Sequence, residues 1–279
     1  MDPVVGPEHV RAYRRDGYLV VPGLYSPSDV DRARALIEAD RTSGEWATAP
    51  YHADDVTTDV YERVPELAEI VLSEGYFRAM GDLFGADAWV LAEPAVHRGR
   101  YYGWHKDSTF LDAQGERFHW ADGFEAAMTV LYLQDNHPEH GGGLTVVPGT
   151  HRDPDFYHRI PSMNLAERAW LKAKKVAGVS HFDRLDKHPD RSDLDTRAGD
   201  LIVIDMRLDH RGTPARSRAT VQKYGLMNIA CSGHDTARQL SQALRRRPGG
   251  YYQRYLAHEP ETTPVLDRIA RERGARVLL

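Results

Sequence analysis

The sequence predicts an α+β chain in which helices at both ends enclose a central group of short β-strands. Helical patterns fill most of residues 1–87 and return over 233–279, whereas 88–232 carries short apolar or alternating runs bounded by Gly, Pro, Asp and Asn. Short strands separated by such turns are typical of a β-sandwich or barrel. With 279 residues, we expect one elaborated domain that spans 1–279.

The N-terminal part contains helix start and stop signals in a regular order. Pro7 opens a helix and Gly17 closes it, and Ser26 caps the next helix because it precedes a segment with apolar residues on one face. The predicted elements are helices over 7–17, 26–40, 65–73 and 76–84, a strand over 18–21, and a polar loop over 41–60.

The central and C-terminal parts change from strands to helices. Strands are predicted over 89–97, 100–104, 126–134, 144–147, 201–205 and 223–231, and helices over 236–247 and 264–273. The connection at 152–198 is polar apart from one predicted helix at 166–175. Because long connections inside a compact domain are usually functional, we expect a lid-like insertion there.

The overall composition excludes several classes of protein. A net charge of −5 gives no basic field for nucleic acid or an anionic membrane surface. There is no apolar run of 18 residues and no signal-peptide pattern at the N-terminus. Cys231 alone cannot form an internal disulfide or a thiolate zinc cluster. We expect a cytoplasmic protein that binds a small molecule and neither nucleic acid nor membrane, with its oligomeric state open.

Two segments together suggest a metal site. Side chains two residues apart in a strand share a face, so His105 and Asp107 in the segment WHKD can converge on one ion. The third ligand is predicted to be His210, which ends a buried strand in GDLIVIDMRLDH. Two histidines and one carboxylate, with the other coordination positions open, form the facial triad of Fe(II) oxygenases.

Four segments, in this order, resemble the phytanoyl-CoA dioxygenase family of Fe(II)/2-oxoglutarate-dependent oxygenases. They are DGYLVVPGLYSPSDVDRARALIE at 16–38, the W-H-x-D of WHKD, the strand pair at 129–135 and 141–151 that ends in PGTH, and AGDLIVIDMRLDHRGTP at 198–214. The resemblance implies a double-stranded β-helix (jelly-roll) core over 88–232, with His105, Asp107 and His210 as iron ligands between two sheets. It also implies Fe(II), 2-oxoglutarate and O₂ as cofactor and cosubstrates. Halogenating relatives have a small residue in place of Asp107.

The chain departs from the family at the 2-oxoglutarate anchor. The family has a basic residue, normally Arg, some 10–13 positions after the distal histidine, because a planar guanidinium binds a carboxylate through two hydrogen bonds. Lys223 stands at that distance and begins a strand, whereas Arg218 lies closer, in the predicted hairpin loop. We favour Lys223 and keep Arg218 as the alternative.

Several neighbours have both a functional and a structural interpretation. Trp104 is expected to be a packed aromatic side chain, and His151 a structural residue. Asp205 could orient a ligand histidine. For both Asp205 and Asp209, however, the favoured interpretation is a turn or surface position.

Other candidates lie in loops and in the predicted hairpin. His137 and His140 are expected in a solvated turn. Contacts with 2-oxoglutarate or substrate are expected from one or more residues just before the triad; these are His97, Arg98, Tyr101 and Tyr102.

The expected activity is oxidation, most simply hydroxylation, of a polar small molecule. The acidic stretch at 107–125 and the mixed charge at 152–198 favour a polar substrate over an acyl-CoA. The excess of Arg over Lys suits bacterial specialised metabolism such as antibiotic biosynthesis. The alternatives are a jelly-roll zinc hydrolase, a non-redox cupin-like enzyme and a degenerate binding protein.

Overall fold

The structure, a computed structural model, describes residues 3–43, 47–48, 55–57, 60–98, 103–137, 139, 143–154, 164–166, 169, 173, 183–213, 224–246 and 263–278. Their helices are α1 (Pro7–Asp16), α2 (Pro27–Asp40), α3 (Val60–Arg63), α4 (Pro65–Val71), α5 (Glu74–Phe84), α6 (Thr109–Ala113), α7 (Asp183–Asp186), α8 (His234–Arg245) and α9 (Pro264–Arg273). Their strands are β1 (Tyr18–Val21), β2 (Ala47–Thr48), β3 (Asp55–Thr57), β4 (Ala88–Arg98), β5 (Ala126–Tyr132), β6 (Leu144–Val146), β7 (Ser192–Asp193), β8 (Leu201–Asp205), β9 (His210–Gly212), β10 (Tyr224–Ser232) and β11 (Val277–Leu278).

The strands form two sheets of unequal size. The major sheet has the order β1-β8-β5-β10-β4-β3-β2, and β11 pairs in parallel with β4. The minor sheet has the order β7-β6-β9. The two sheets form the double-stranded β-helix core that the resemblance implied, so the predicted fold class is confirmed.

Alternate residues of β8 show how the major sheet is covered on both faces. Ile202 and Ile204 pack with Leu144 and Val146 of the minor sheet, in the space between the sheets. Leu201, one position away, packs in the cluster that includes residues of the helices. A strand buried on both faces carries a nearly continuous apolar run, as LIVI does.

Helices cover the face of the major sheet that is turned away from the minor sheet. α2 is typical of them: Pro27 occupies its first turn, and Ser26 and Asp29 form a capping box. Its buried residues Val30 and Ile37 pack in the same cluster as α3, α4, α5 and α9. Within the described ranges, no helix combines the length and the apolar character needed to cross a bilayer.

The predicted loop at 41–60 is partly wrong. It contains β2 and β3, and β3 pairs with β4 through Thr57 and Val96. Edge strands this short gain their order from the strand beside them, so their own sequence carries little alternation. Of the strand predicted at 100–104, residues 100–102 lie outside the described residues and 103–104 are not in a strand.

The connection at 152–198 is partly built into the minor sheet. β7 pairs with β6, and Thr196 forms a bridge with Asn136, so residues 192–196 are not part of a lid. Most of the helix predicted at 166–175 lies outside the described residues; 166, 169 and 173 are helical and exposed. The lid stays a prediction for the part of the connection before α7, and the single domain over 1–279 also stays a prediction.

Candidate metal centre

A backbone bridge brings the two predicted histidine ligands together. His210 is the first residue of β9, and His105 lies opposite it in an antiparallel bridge. The amide of His105 donates to the carbonyl of His210 at 2.9 Å, and the reverse bond is 3.0 Å. Two residues that exchange both backbone hydrogen bonds project their side chains to the same face of the ladder. The centres of the two imidazole rings accordingly lie 4.3 Å apart.

Asp107 completes the cluster from two residues further along the chain. Its Oδ1 lies 3.8 Å from Nε2 of His105 and 3.8 Å from Nε2 of His210. One ligand atom from each of the three residues lies within 4.8 Å of the others. The structure therefore brings together the three side chains that the sequence selected.

Hydrogen bonds to backbone carbonyls set the tautomer of both histidines. Nδ1 of His105 lies 2.8 Å from the carbonyl oxygen of Gly103, and Nδ1 of His210 lies 3.0 Å from that of Leu208. A carbonyl oxygen can only accept, so each Nδ1 carries the proton and each Nε2 keeps its lone pair for a metal.

The carboxylate of Asp107 also fits a cation. Its Oδ2 is buried and has no hydrogen-bond partner among the described residues. A buried carboxylate oxygen without a donor is costly, and a bound cation removes that cost. His210 is 4% exposed, whereas the side chain of His105 is 38% exposed, so the cluster is open on the His105 side. The donor set fits a divalent metal with open coordination positions.

A row of paired residues crosses the major sheet at Gly225. Gly225 of β10 pairs with Tyr132 of β5 on one side and with His97 of β4 on the other. A Cβ on Gly225 would lie 3.0 Å from Cε1 of Tyr132, so the absence of a side chain there makes room for the phenol ring. Burial, and secondly the charge of Asp107, raises the pKa of Tyr132, which therefore stays a neutral hydrogen-bond donor.

Trp104 and Arg211 flank the two histidines on the other face of the bridge. Trp104 is buried, as expected, and the guanidinium of Arg211 lies 4.8 Å from the centre of its indole ring. Asp186 of α7 accepts from Trp104 Nε1 at 3.0 Å and pairs with Arg211 at 2.7 Å. Asp186, which lies within the predicted connection at 152–198, is thus bound to residues adjacent to both histidines.

Asp205 does not orient a ligand histidine. Its carboxylate pairs with Arg207, at 2.9 Å to Nε and 2.8 Å to an Nη nitrogen, and accepts from the Arg207 backbone amide at 2.8 Å. These hydrogen bonds stabilise the turn between β8 and β9, in agreement with the turn position that was favoured for Asp205.

His151 lies away from the cluster, beside the end of α1. Its Nε2 is 3.3 Å from the carbonyl oxygen of Arg14, and a Cβ on Gly17 would lie 2.5 Å from its Nδ1. Gly17 has φ +82°, which favours glycine independently of the space. Burial lowers the pKa of His151, so this residue packs as a neutral side chain.

The remaining candidates lie in an exposed turn, at the end of β4 or outside the described residues. His137 is exposed in a turn, and its Nδ1 accepts from the amide of Glu139 at 3.1 Å. His97 and Arg98 form the end of β4. The two proposed 2-oxoglutarate anchors and three further candidates lie outside the described residues; these are Lys223, Arg218, Tyr101, Tyr102 and His140.

The sequence did not predict two buried charges beside the proposed ligands or the buried Tyr132 of the major sheet. Asp209 is not in a surface turn but is 6% exposed, and Lys106, 3% exposed, lies 3.2 Å from its carboxylate. Pairing His105 with His210 places Lys106 opposite Asp209, so the opposite charges were a usable signal. Tyr132 carried no comparable signal in the apolar run TVLYL.

Known proteins share both the sequence pattern and the fold. The family model of phytanoyl-CoA dioxygenase (PhyH) matches residues 13–220. The ectoine dioxygenase of Stutzerimonas stutzeri is 28% identical over 236 residues, which cover 74% of this chain and 70% of that enzyme.

Solved structures extend this similarity over most of the chain. The non-heme alpha ketoglutarate dependent carbocyclase SnoK from nogalamycin biosynthesis is 17% identical, with a TM-score of 0.61, over 90% of this chain and 95% of its own. EctD from S. alaskensis with bound Fe is 17% identical, with a TM-score of 0.55, over 83% of this chain and 78% of its own. The chain belongs to the phytanoyl-CoA dioxygenase family and is a dioxygenase that uses Fe(II), 2-oxoglutarate and O₂.

Proposed function

We propose that this enzyme hydroxylates a polar small molecule at an iron held by His105, Asp107 and His210. One observation carries the ligand assignment: two Nε2 atoms with available lone pairs and a carboxylate oxygen converge, while the second oxygen of that carboxylate is buried without a described partner. The ligands come from one side, so the opposite side is left for 2-oxoglutarate, O₂ and substrate. When bound, Fe(II) and 2-oxoglutarate supply the chemistry that transfers one oxygen atom of O₂ to a C–H bond.

The protein's own residues orient the ligands and bind the cosubstrate. The carbonyls of Gly103 and Leu208 fix both imidazole rings, so little reorganisation accompanies metal binding. We propose Lys223 as the partner of the distal carboxylate of 2-oxoglutarate, with Arg218 as the alternative. A carboxylate in an enclosed pocket needs a cation because an unpaired buried charge is costly.

A tyrosine of the major sheet and the similarity to a relative support a polar substrate. Burial raises the pKa of Tyr132, so its phenol is neutral, and we propose that its hydroxyl donates to a polar group of the substrate. The similarity to ectoine dioxygenase makes a small, polar solute such as ectoine the first molecule to test. We place the reaction in bacterial specialised metabolism, which the Arg-rich composition supports.

The test is succinate formation from 2-oxoglutarate, with Fe(II) and O₂ present, measured against a panel of polar metabolites and acyl-CoA thioesters. The proposal predicts that a polar metabolite stimulates succinate release and gains one oxygen atom by mass spectrometry. His137→Ala, at an exposed histidine far from the cluster in sequence, should match the wild type, and His105→Ala should form no succinate. Stimulation by acyl-CoA alone would contradict the substrate class, and full activity of His105→Ala would contradict the site.

A further inference from the structure

We propose that the buried ion pair between Lys106 and Asp209 is a positioning device that fixes His105 and Asp107 relative to His210. Lys106 stands between the first two proposed ligands, and Asp209 directly precedes the third. Nζ of Lys106 lies 3.2 Å from Oδ2 of Asp209, and both side chains are more than nine-tenths buried. The inference rests on the proposed ligand assignment and adds two residues to it.

The bridge explains why this pair can control the metal cluster. Successive side chains in an extended segment point to opposite faces. His105 lies opposite His210, so Lys106 lies opposite Asp209 on the reverse face. The ligands and the ion pair are therefore attached to the same two segments of backbone, on opposite faces.

Lys106 binds more than one neighbouring turn. Besides Asp209, its ammonium donates to the carbonyl of Thr150 at 2.8 Å and to that of Arg207 at 2.5 Å. The amide of Asp209 in turn donates to Oγ1 of Thr150 at 3.0 Å. The three donors of one ammonium group thus connect the ligand segment at 105–107, the turn at 147–150 and the turn before His210.

Because both charges are buried, the two connected segments can be displaced very little relative to each other. An ammonium or a carboxylate out of water is tolerated only while it is paired and hydrogen-bonded. If the 105–107 segment slides or tilts relative to His210, Lys106 and Asp209 lose their partners together. The placement of the two segments in the structure keeps both charges satisfied, and in that placement the three ligand atoms converge.

A second ion pair, buried on its carboxylate side and partly exposed on its guanidinium side, provides a control. Arg63 of α3 pairs with Asp40 of α2, and two guanidinium nitrogens lie 3.0 and 2.9 Å from the carboxylate. Asp40 is 8% exposed, and the pair belongs to the helices rather than to the minor sheet. Breaking it should lower stability by the same mechanism without moving the metal ligands.

The experiment measures Co(II) binding to the metal-free full-length protein, by calorimetry and by the visible d–d absorption that reports ligand geometry. Lys106→Met should weaken Co(II) affinity by about 10- to 100-fold and change the d–d spectrum, as for other residues that orient metal ligands. Arg63→Met leaves the buried Asp40 carboxylate without this partner and should also lower the melting temperature, but it should keep the wild-type affinity and spectrum. Wild-type affinity and spectrum in a folded Lys106→Met variant would overturn the proposal.

The double variant Lys106→Met/Asp209→Leu separates positioning from stability and carries the test if Lys106→Met does not fold. It has no unpaired buried charge, so the melting temperature should recover while Co(II) affinity stays at least about tenfold weak. Recovery of affinity and spectrum together with stability would show a merely structural role and overturn the proposal. Co(II) binding by His210→Ala tests the ligand assignment separately: if that variant binds like the wild type, the proposed ligands are wrong.

Discussion

Different interactions stabilise the major sheet and the minor sheet of this enzyme. In the major sheet, β5 pairs continuously with β8 and with β10, and apolar side chains cover both faces. In the minor sheet, strands of two or three residues are joined by polar side chains; Thr145, for example, donates to Asp193 at 2.7 Å. The proposed metal ligands meet at the edge of the minor sheet, where His210 begins β9. Stability and metal binding should therefore respond to different substitutions.

The largest expected effect is on activity, at the minor sheet. His210→Ala removes one of three proposed ligands, so turnover should fall to background and iron should bind poorly. Its melting temperature should stay within a few degrees of the wild type, since His210 is at a strand end. Succinate assays and calorimetry on one sample check both points. Asp107→Gly is expected to lose hydroxylation but retain some iron, because both histidines remain.

The next largest effect is on stability, at the major sheet. Leu131 of β5 is 1% exposed and packs against the helical side. Leu131→Ala should lower the free energy of unfolding by about 2–5 kcal/mol, because it removes buried apolar contact and leaves a cavity. Urea unfolding gives the loss, and Co(II) titration of the folded variant should give the wild-type affinity. A large fall in that affinity would show that the two sheets are not separable in this way.

A smaller effect is expected where the two sheets face each other. Tyr132→Phe removes a hydroxyl that is proposed to bind substrate near the metal, while the ring still packs beside Gly225. The loss of one hydrogen bond of about 1–1.5 kcal/mol should raise KM for the substrate by roughly tenfold. The melting temperature should barely change. Steady-state kinetics decide the point, and an unchanged KM would exclude this contact.

The smallest effect concerns pH and a histidine outside the cluster. Burial holds the pKa of His151 below its ordinary value of 6.5 in the folded state, so the unfolded chain takes up a proton first. The contribution of His151 to the free energy of unfolding is therefore fully present above pH 6.5 and is lost progressively as the pH falls below that value. His151→Gln should reduce this acid-side decline in urea unfolding series from pH 7.5 to 5.5. Parallel pH curves for wild type and variant would contradict the prediction.

The parts of the fold that carry their own local signal could be predicted from the sequence. α2, β8 and α9 follow from capping residues and apolar periodicity, and their bounds agree with the structure to within about two residues. β3 and β11 could not be predicted in this way, because each is a two- or three-residue strand that is ordered by pairing with β4. The partner strand, rather than local sequence, decides such elements.

At the candidate site too, some residues could be predicted from the local sequence, whereas others depend on a partner that is distant in the chain. The H-x-D spacing and a strand-end histidine were sufficient to select His105, Asp107 and His210, whose side chains meet in the structure. The burial of Asp209 was not predictable from the residues next to it in sequence, because an acidic residue is seldom buried unless it is paired. It follows from Lys106, far away in sequence and brought opposite by the bridge.

The most direct test of the central claim is an anaerobic titration of the metal-free enzyme with Fe(II) and 2-oxoglutarate, followed by visible absorption. If His105, Asp107 and His210 bind iron and leave adjacent positions for the cosubstrate, a weak charge-transfer band should grow to one equivalent. The band should be absent in His210→Ala and intact in His137→Ala. An absent band in the wild type, together with tight Zn²⁺ binding, would contradict the iron assignment and favour a zinc enzyme.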